Sequence, residues 1–261
     1  MSVGRRLVLV ALLGGRNIVK SVRTPMLLAV SLAQPVVWLA LFSQTFGALG
    51  ATPQLARLGY HSYLSFFTPA MVVLSVLFSA LQSAMATVTD ISTGMMDKLA
   101  TSPIPRWVVL AARVCADGVL MVLQSLIVIG VAAAMGATVR AGAIGVVVLV
   151  AFAVAFGVVW ACLSNLVALA SRNAEVTMVV GFFLTLPVLF LSSAFFPLSL
   201  QPGWLQALAR ANPAAYVITA GQVLMNLGSY GPAAMRALVA LGVSAAVLVP
   251  LTLRAFRTSV R

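Results

Sequence analysis

Apolar residues fall into six blocks along the chain, at about 26–46, 66–86, 108–135, 144–170, 177–196 and 238–253, with polar and charged residues crowded into the gaps. About 20 apolar residues at 1.5 Å rise match a hydrocarbon core of about 30 Å, and there only a helix satisfies its own backbone polar groups. The pattern predicts an all-α membrane protein of six transmembrane helices. With 62% hydrophobic residues, 8% charged residues and a mean hydropathy of +1.11, the chain is no ordinary soluble domain.

The net charge of +12 is explained by topology rather than by nucleic acid. Arg5, Arg6, Arg16, Lys20 and Arg23 precede the first block, Lys98 and Arg106 separate the second from the third, Arg172 follows the fourth, and Arg254, Arg257 and Arg261 end the chain. The alternate gaps hold Arg57, Arg140, Arg210 and Arg236. Cationic loops stay in the cytoplasm, so both termini are expected there, with no nucleic-acid partner. At helical spacing the five early cations share one arc with Asn17, which predicts an interfacial helix over residues 1–25 among anionic headgroups, ahead of one permease domain over 26–261. A solvated basic tail is the simpler alternative.

Two gaps are more than connectors. In the first, after Asp90, Thr93 is placed to cap a short helix from Gly94 to Ala100 that carries Asp97, and Pro103 and Pro105 force an extended exit. The result is a stiff elbow between two spans. The second gap begins at Pro197, where Pro202 and Asn212-Pro213 signal two short apolar helices at about 203–210 and 213–225. Both are too short to span, and are expected to dip into the outer leaflet with Trp204 and Tyr216 near its surface. Extracellular amphipathic helices are the other reading.

Reactive groups are scarce. The chain has four carboxylates, one histidine, His61, and two cysteines, Cys115 and Cys162, inside apolar blocks, which leaves no acid pair, triad or metal set. Asp117 lies within the third block, four residues after Arg113, so the two share a helix face. That spacing fits an intramembrane ion pair or a proton-coupling carboxylate, and the arginine favours the first by stabilising the ionised acid. Gln34 and Gln82 place neutral amides at membrane depth, where they line a substrate path or bond neighbouring helices. A phosphate-binding loop requires a glycine directly before Lys-Ser or Lys-Thr, and Val19 stands there before Lys20-Ser21. ATP, if used, belongs to another chain.

The elbow Gly94-Met95-Met96-Asp97-Lys98-Leu99, with Thr101-Ser102-Pro103, resembles the Gly-x-x-(acid)-x-Leu…Pro segment of type-2 ABC exporter permeases, the group of drug-resistance and lipo-oligosaccharide exporters. The run from Ser192-Ser193-Ala194-Phe195-Phe196-Pro197 through Pro202-Gly203-Trp204-Leu205 to Asn212-Pro213-Ala214-Ala215-Tyr216 is similar to that group's outer signature. The resemblance implies a non-catalytic membrane subunit in the bacterial plasma membrane, paired with a second copy or a homologous permease. A cytoplasmic ATPase subunit would hold the ATP and magnesium, and the cargo would be amphipathic, drug-like or lipid-linked. It further implies that Gly94, Asp97, Lys98, Leu99 and Pro103 couple to the ATPase together with the interfacial helix, and that spans one, two and five flank the dimer path. Thr219 and Gln222 depart from the pattern, standing where the family often has an acid and an arginine. A proton-coupled transporter using Asp117 and a non-transport scaffold are the alternatives.

Overall fold

The structure is a computed structural model that describes residue 15 and residues 25–48, 52–94 and 106–259. The described residues form α1 (Pro25–Thr45), α2 (Pro53–Arg57), α3 (Tyr63–Ser92), α4 (Arg106–Ala134), α5 (Gly142–Ser171), α6 (Ala174–Phe190), α7 (Gly203–Ala211), α8 (Pro213–Asn226) and α9 (Pro232–Ser259). Four of these are long and apolar enough to cross a membrane: α3, α4 from Ala112, α5, and α9 to Phe256.

This corrects the six-span expectation. The fifth apolar block ends as a helix at Phe190, so α6 has 17 residues and reaches only about 25 Å, short of a hydrocarbon core of about 30 Å. Pro187 removes one backbone donor near its end, and the chain turns at Leu191, ahead of Ser192-Ser193 and the apolar Ala194-Phe195-Phe196. Hydropathy alone cannot separate a helix from apolar irregular chain. The first block corresponds to α1, whose described side chains begin at Leu32 and include Gln34, Pro35 and Gln44. That stretch is not among the four.

α3 is the central helix and packs against α1, α4, α5, α6 and α8. A helix apolar on every side belongs in the interior, and Phe66, Phe67, Met71, Leu74 and Leu77 are all fully enclosed. Two of its buried hydroxyls return their protons to the helix itself: Thr68 donates to the Leu64 carbonyl at 2.7 Å and Ser75 to the Val72 carbonyl at 2.7 Å. Small hydroxyl residues also let neighbouring helices approach closely. Ser62 caps the start of α3 by accepting from the Ser65 N–H at 3.3 Å. At its other end Thr93 is the C-cap and Gly94 takes a left-handed conformation at φ 65°, which glycine adopts without steric cost.

The α4–α5 turn is joined to the end of α8 by main-chain bonds, from Arg140 N–H to Met225 C=O at 3.0 Å and from Ala141 N–H to Leu224 C=O at 3.2 Å. The same joint brings α8 across α3 at Gly221. A Cβ built at Gly221 would stand 2.7 Å from Cβ of Pro69 and 2.7 Å from a methyl of Leu149. The Pro69 ring cannot swing aside. Gly221→Ala is therefore expected to lower the thermal unfolding midpoint in detergent by several degrees, in line with an overpacking cost of about 1–3 kcal/mol. Gly242→Ala, with no neighbour within 4 Å, should leave the midpoint unchanged.

Candidate functional site

The segment leaving α6 is irregular backbone inside an apolar bundle, so its carbonyls need side-chain partners. Asn212 supplies two of them. Its Oδ1 caps α8 by accepting from the Ala214 N–H at 3.0 Å, while its Nδ2 donates to the carbonyls of Val188 at 2.6 Å and Leu191 at 2.9 Å. One buried amide thus closes the end of α6 and the start of α8. Gln222 donates to the Ser193 carbonyl at 2.7 Å, and the Thr219 and Ser193 hydroxyls lie 2.9 Å apart. Gln201 donates to the carbonyls of Ser192 at 2.9 Å and Phe196 at 3.0 Å. Thr219 and Gln222, where this sequence departs from the exporter pattern, hold the loop in place of a charged pair.

The clamped loop forms one wall of an aromatic cleft of about 440 Å³, faced by Phe42 of α1, Phe46 just after it, Tyr63 of α3, and Phe190, Phe195 and Phe196. Phe195 is the hub. Its ring centroid lies 4.8 Å from Phe190, 5.3 Å from Phe42 and 5.6 Å from Phe67, and the Tyr63 hydroxyl reaches the Phe195 carbonyl at 3.4 Å. Stacked and tilted aromatic contacts of this kind contribute about 0.5–1.5 kcal/mol each beyond area burial.

The expected residues of this region fall around the clamp. Pro197 is buried and precedes a single 3₁₀ turn, Leu198–Leu200; Trp204 is exposed on α7; Asn212 and Pro213 open α8; and the Tyr216 hydroxyl donates to the Arg210 carbonyl at 2.8 Å. Helices α7 and α8 lie where their proline start signals put them, yet α8 is largely buried against α3, α5 and α9. Gln34 is half-buried on α1 and Gln82 is exposed on α3, and neither is among the described residues facing the cleft.

Toward the opposite end of α3, Arg113 reaches Asp90 of α3, with Nη1 2.9 Å from Oδ2, and its Nη2 donates to the Ser83 carbonyl at 2.8 Å. Asp117 instead accepts from the Ser83 hydroxyl at 2.5 Å. Ser83 therefore joins both members of the expected pair, and the ion-pair partner of Arg113 is a carboxylate 23 residues away. Beside it Thr87 donates to the Asn165 amide oxygen at 2.5 Å, which ties α3 to α5. A cavity of about 40 Å³ lies between these groups, Cys162 and Thr252. Of the expected coupling residues only Gly94 is described, at the end of α3. Asp97, Lys98, Leu99, Pro103 and the interfacial cations Arg5, Arg6, Arg16, Lys20 and Arg23 lie outside the described residues.

The family described as "ABC-2 type transporter" matches residues 8–226, an interval that includes the elbow, the clamp and the aromatic cleft. This chain belongs to the ABC-2 type transporter family. It is similar to the daunorubicin resistance ABC transporter permease protein DrrB1 of Streptomyces coeruleorubidus, 27% identical over 228 residues that cover 85% of this chain and 77% of that protein. It is also similar to the putative transport permease ycf38 of Cyanophora paradoxa, 28% identical over 80% of this chain and 71% of that protein. A probable doxorubicin resistance ABC transporter permease protein, DrrC of Mycobacterium tuberculosis, is 28% identical over 49% of this chain and 46% of its own length.

The chain is accordingly a multi-pass permease component, of the kind found in the bacterial inner membrane, that works with an ABC ATPase subunit. Among the described residues no group of three histidine, cysteine or acidic side chains could hold a metal.

Two measurements test the geometry of the permease. Asn212→Ala leaves two carbonyls and one N–H without partners and should destabilise by about 1–3 kcal/mol, read as a lower unfolding midpoint in detergent, with Asn212→Asp retaining only the cap. In a double-mutant cycle, Asp90→Asn and Arg113→Gln should be non-additive in unfolding, with a coupling of about 0.5–3 kcal/mol, whereas Asp90→Asn with the distant Gly242→Ala should combine almost additively.

Proposed function

We propose that the permease forms the membrane path of an ATP-driven exporter for an amphipathic, drug-like or lipid-linked cargo. The observation that carries this reading is the similarity over 85% of the chain to a permease named for daunorubicin resistance. The aromatic cleft adds a chemical reason. Flat faces of Phe42, Phe195 and Tyr63 suit a planar apolar body by stacking, and its volume of about 440 Å³ lies within the usual range for small-molecule sites.

Two permease chains, identical or homologous, complete the path, with surrounding lipid as the remaining partner. The elbow at 94–103 and the cationic amino-terminal segment dock on the ATPase, with Gly94, Asp97, Lys98, Leu99 and Pro103 as the coupling residues. α3 then acts as the connecting rod. Its 30 residues extend about 45 Å from the cleft to the elbow, and Asp90, Ser83 and Thr87 fasten it to α4 and α5 so that these helices move together. A tilt imposed at the elbow shifts Tyr63 and Phe67 against Phe195 and opens the cleft.

In inverted membrane vesicles holding the permease with its ATPase subunit, uptake of daunorubicin should require ATP and stop with vanadate. Phe195→Ala should raise the KM for daunorubicin several-fold, and Asp117→Asn should leave ATP-driven uptake in place. Uptake that persists without ATP and collapses with the proton gradient would overturn the proposal.

A further inference from the structure

At the end of the bundle that carries α7 and α8, an open groove of about 550 Å³ runs between these helices and α9. Arg210 and Arg236 both line it and both are exposed. Beneath them the α9 wall is made of two columns at four-residue spacing: Met235, Val239 and Val243 are exposed apolar side chains, while Ala240 and Ser244 are small and leave a channel along the helix below Arg236. From Arg236 to Ser244 this channel extends about 12 Å, enough for much of an acyl chain.

Among the described residues no carboxylate neutralises these guanidinium groups. The whole sequence has four, Asp90, Asp97, Asp117 and Glu175. Of the three that are described, Asp90 and Asp117 are engaged by Arg113 and Ser83 in the far part of α3, and Glu175 is in the first turn of α6. Neither Arg210 nor Arg236 has a described carboxylate within salt-bridge distance. Arg210 is positioned by a fixed backbone, because its carbonyl accepts from the Tyr216 hydroxyl at 2.8 Å. Arg236 sits close to the start of α9, so the positive end of that helix adds to the same field.

We infer that this groove is a binding site for one anionic phospholipid of the surrounding bilayer, its phosphate between Arg210 and Arg236 and one acyl chain along Val239, Ala240, Val243 and Ser244. The charge complementarity decides the occupant: two cations with no described carboxylate partner at the mouth and apolar walls below call for a molecule with a negative head and a hydrocarbon tail. A zwitterionic lipid of the same shape would bring its own cation to a mouth that already holds two. The inference requires only that the permease sits in a bilayer and does not depend on which cargo it exports.

The test uses the purified full-length permease in detergent, titrated with phosphatidylglycerol or phosphatidylcholine of identical acyl chains. Retained lipid is counted by native mass spectrometry, and the unfolding midpoint is followed in parallel. One tightly retained phosphatidylglycerol per chain is expected, with a midpoint increase that phosphatidylcholine does not produce. Replacing both arginines, Arg210→Gln with Arg236→Gln, should weaken phosphatidylglycerol binding about thirtyfold while leaving the midpoint in phosphatidylcholine unchanged. Ala240→Trp, which fills the channel, should abolish retention with both arginines present. Arg57→Gln with Arg140→Gln removes the same charge outside the groove and should retain the lipid. Equal retention of the two lipids, retention by the Arg210/Arg236 double variant, or loss in the Arg57/Arg140 double variant would each overturn the inference.

Discussion

An amide or carbonyl enclosed by hydrocarbon has no water to fall back on, and that constraint organises this bundle. Helices meet it by themselves. The turn from Leu191 to Pro202 cannot, and there Asn212, Gln222, Gln201 and the Ser192 hydroxyl stand in for missing helical partners. Each of those side chains lies on a neighbouring element or within the turn, and the loop and the helices after it are consequently one object. The aromatic cleft inherits its shape from that object, since Phe195 and Phe196 project from the clamped backbone.

The same constraint explains how the two ends of the permease differ. Around the cleft, α3 is held by packed rings with little polar content. Toward Ser92 it is held by Asp90, Ser83 and Thr87, which bond to α4 and α5. Packing tolerates small sliding, whereas a charge pair with a 2.9 Å contact allows much less. α3 is therefore fixed by polar bonds toward Ser92 and by packed rings toward the cleft.

Much of this was legible in the residues. Asn212-Pro213 and Pro202 marked the starts of α8 and α7 because a cap followed by proline is a local code. The number of spans was less legible. The block at 177–196 is mostly apolar, with Ser192 and Ser193 as its only adjacent polar pair, and the tertiary partners of those two serines reveal that helix ends at Phe190. The partner of Arg113 was hidden for a similar reason: Asp117 shares its helix face in sequence, but Asp90 reaches it through the fold from another helix. Gln222 carried a faint signal as a large amide in an apolar helix, although nothing local identifies the carbonyl it serves. The elbow and the amino-terminal cations rest on sequence alone, lying outside the described residues apart from Gly94.

The joint between the α4–α5 turn and the end of α8 is made of main-chain atoms, Arg140 to Met225 and Ala141 to Leu224. Such a weld is indifferent to which side chains are mounted on it. Evolution can therefore redecorate that rim of the molecule, altering its charge, bulk or affinity for outside molecules, while the scaffold beneath keeps its registration.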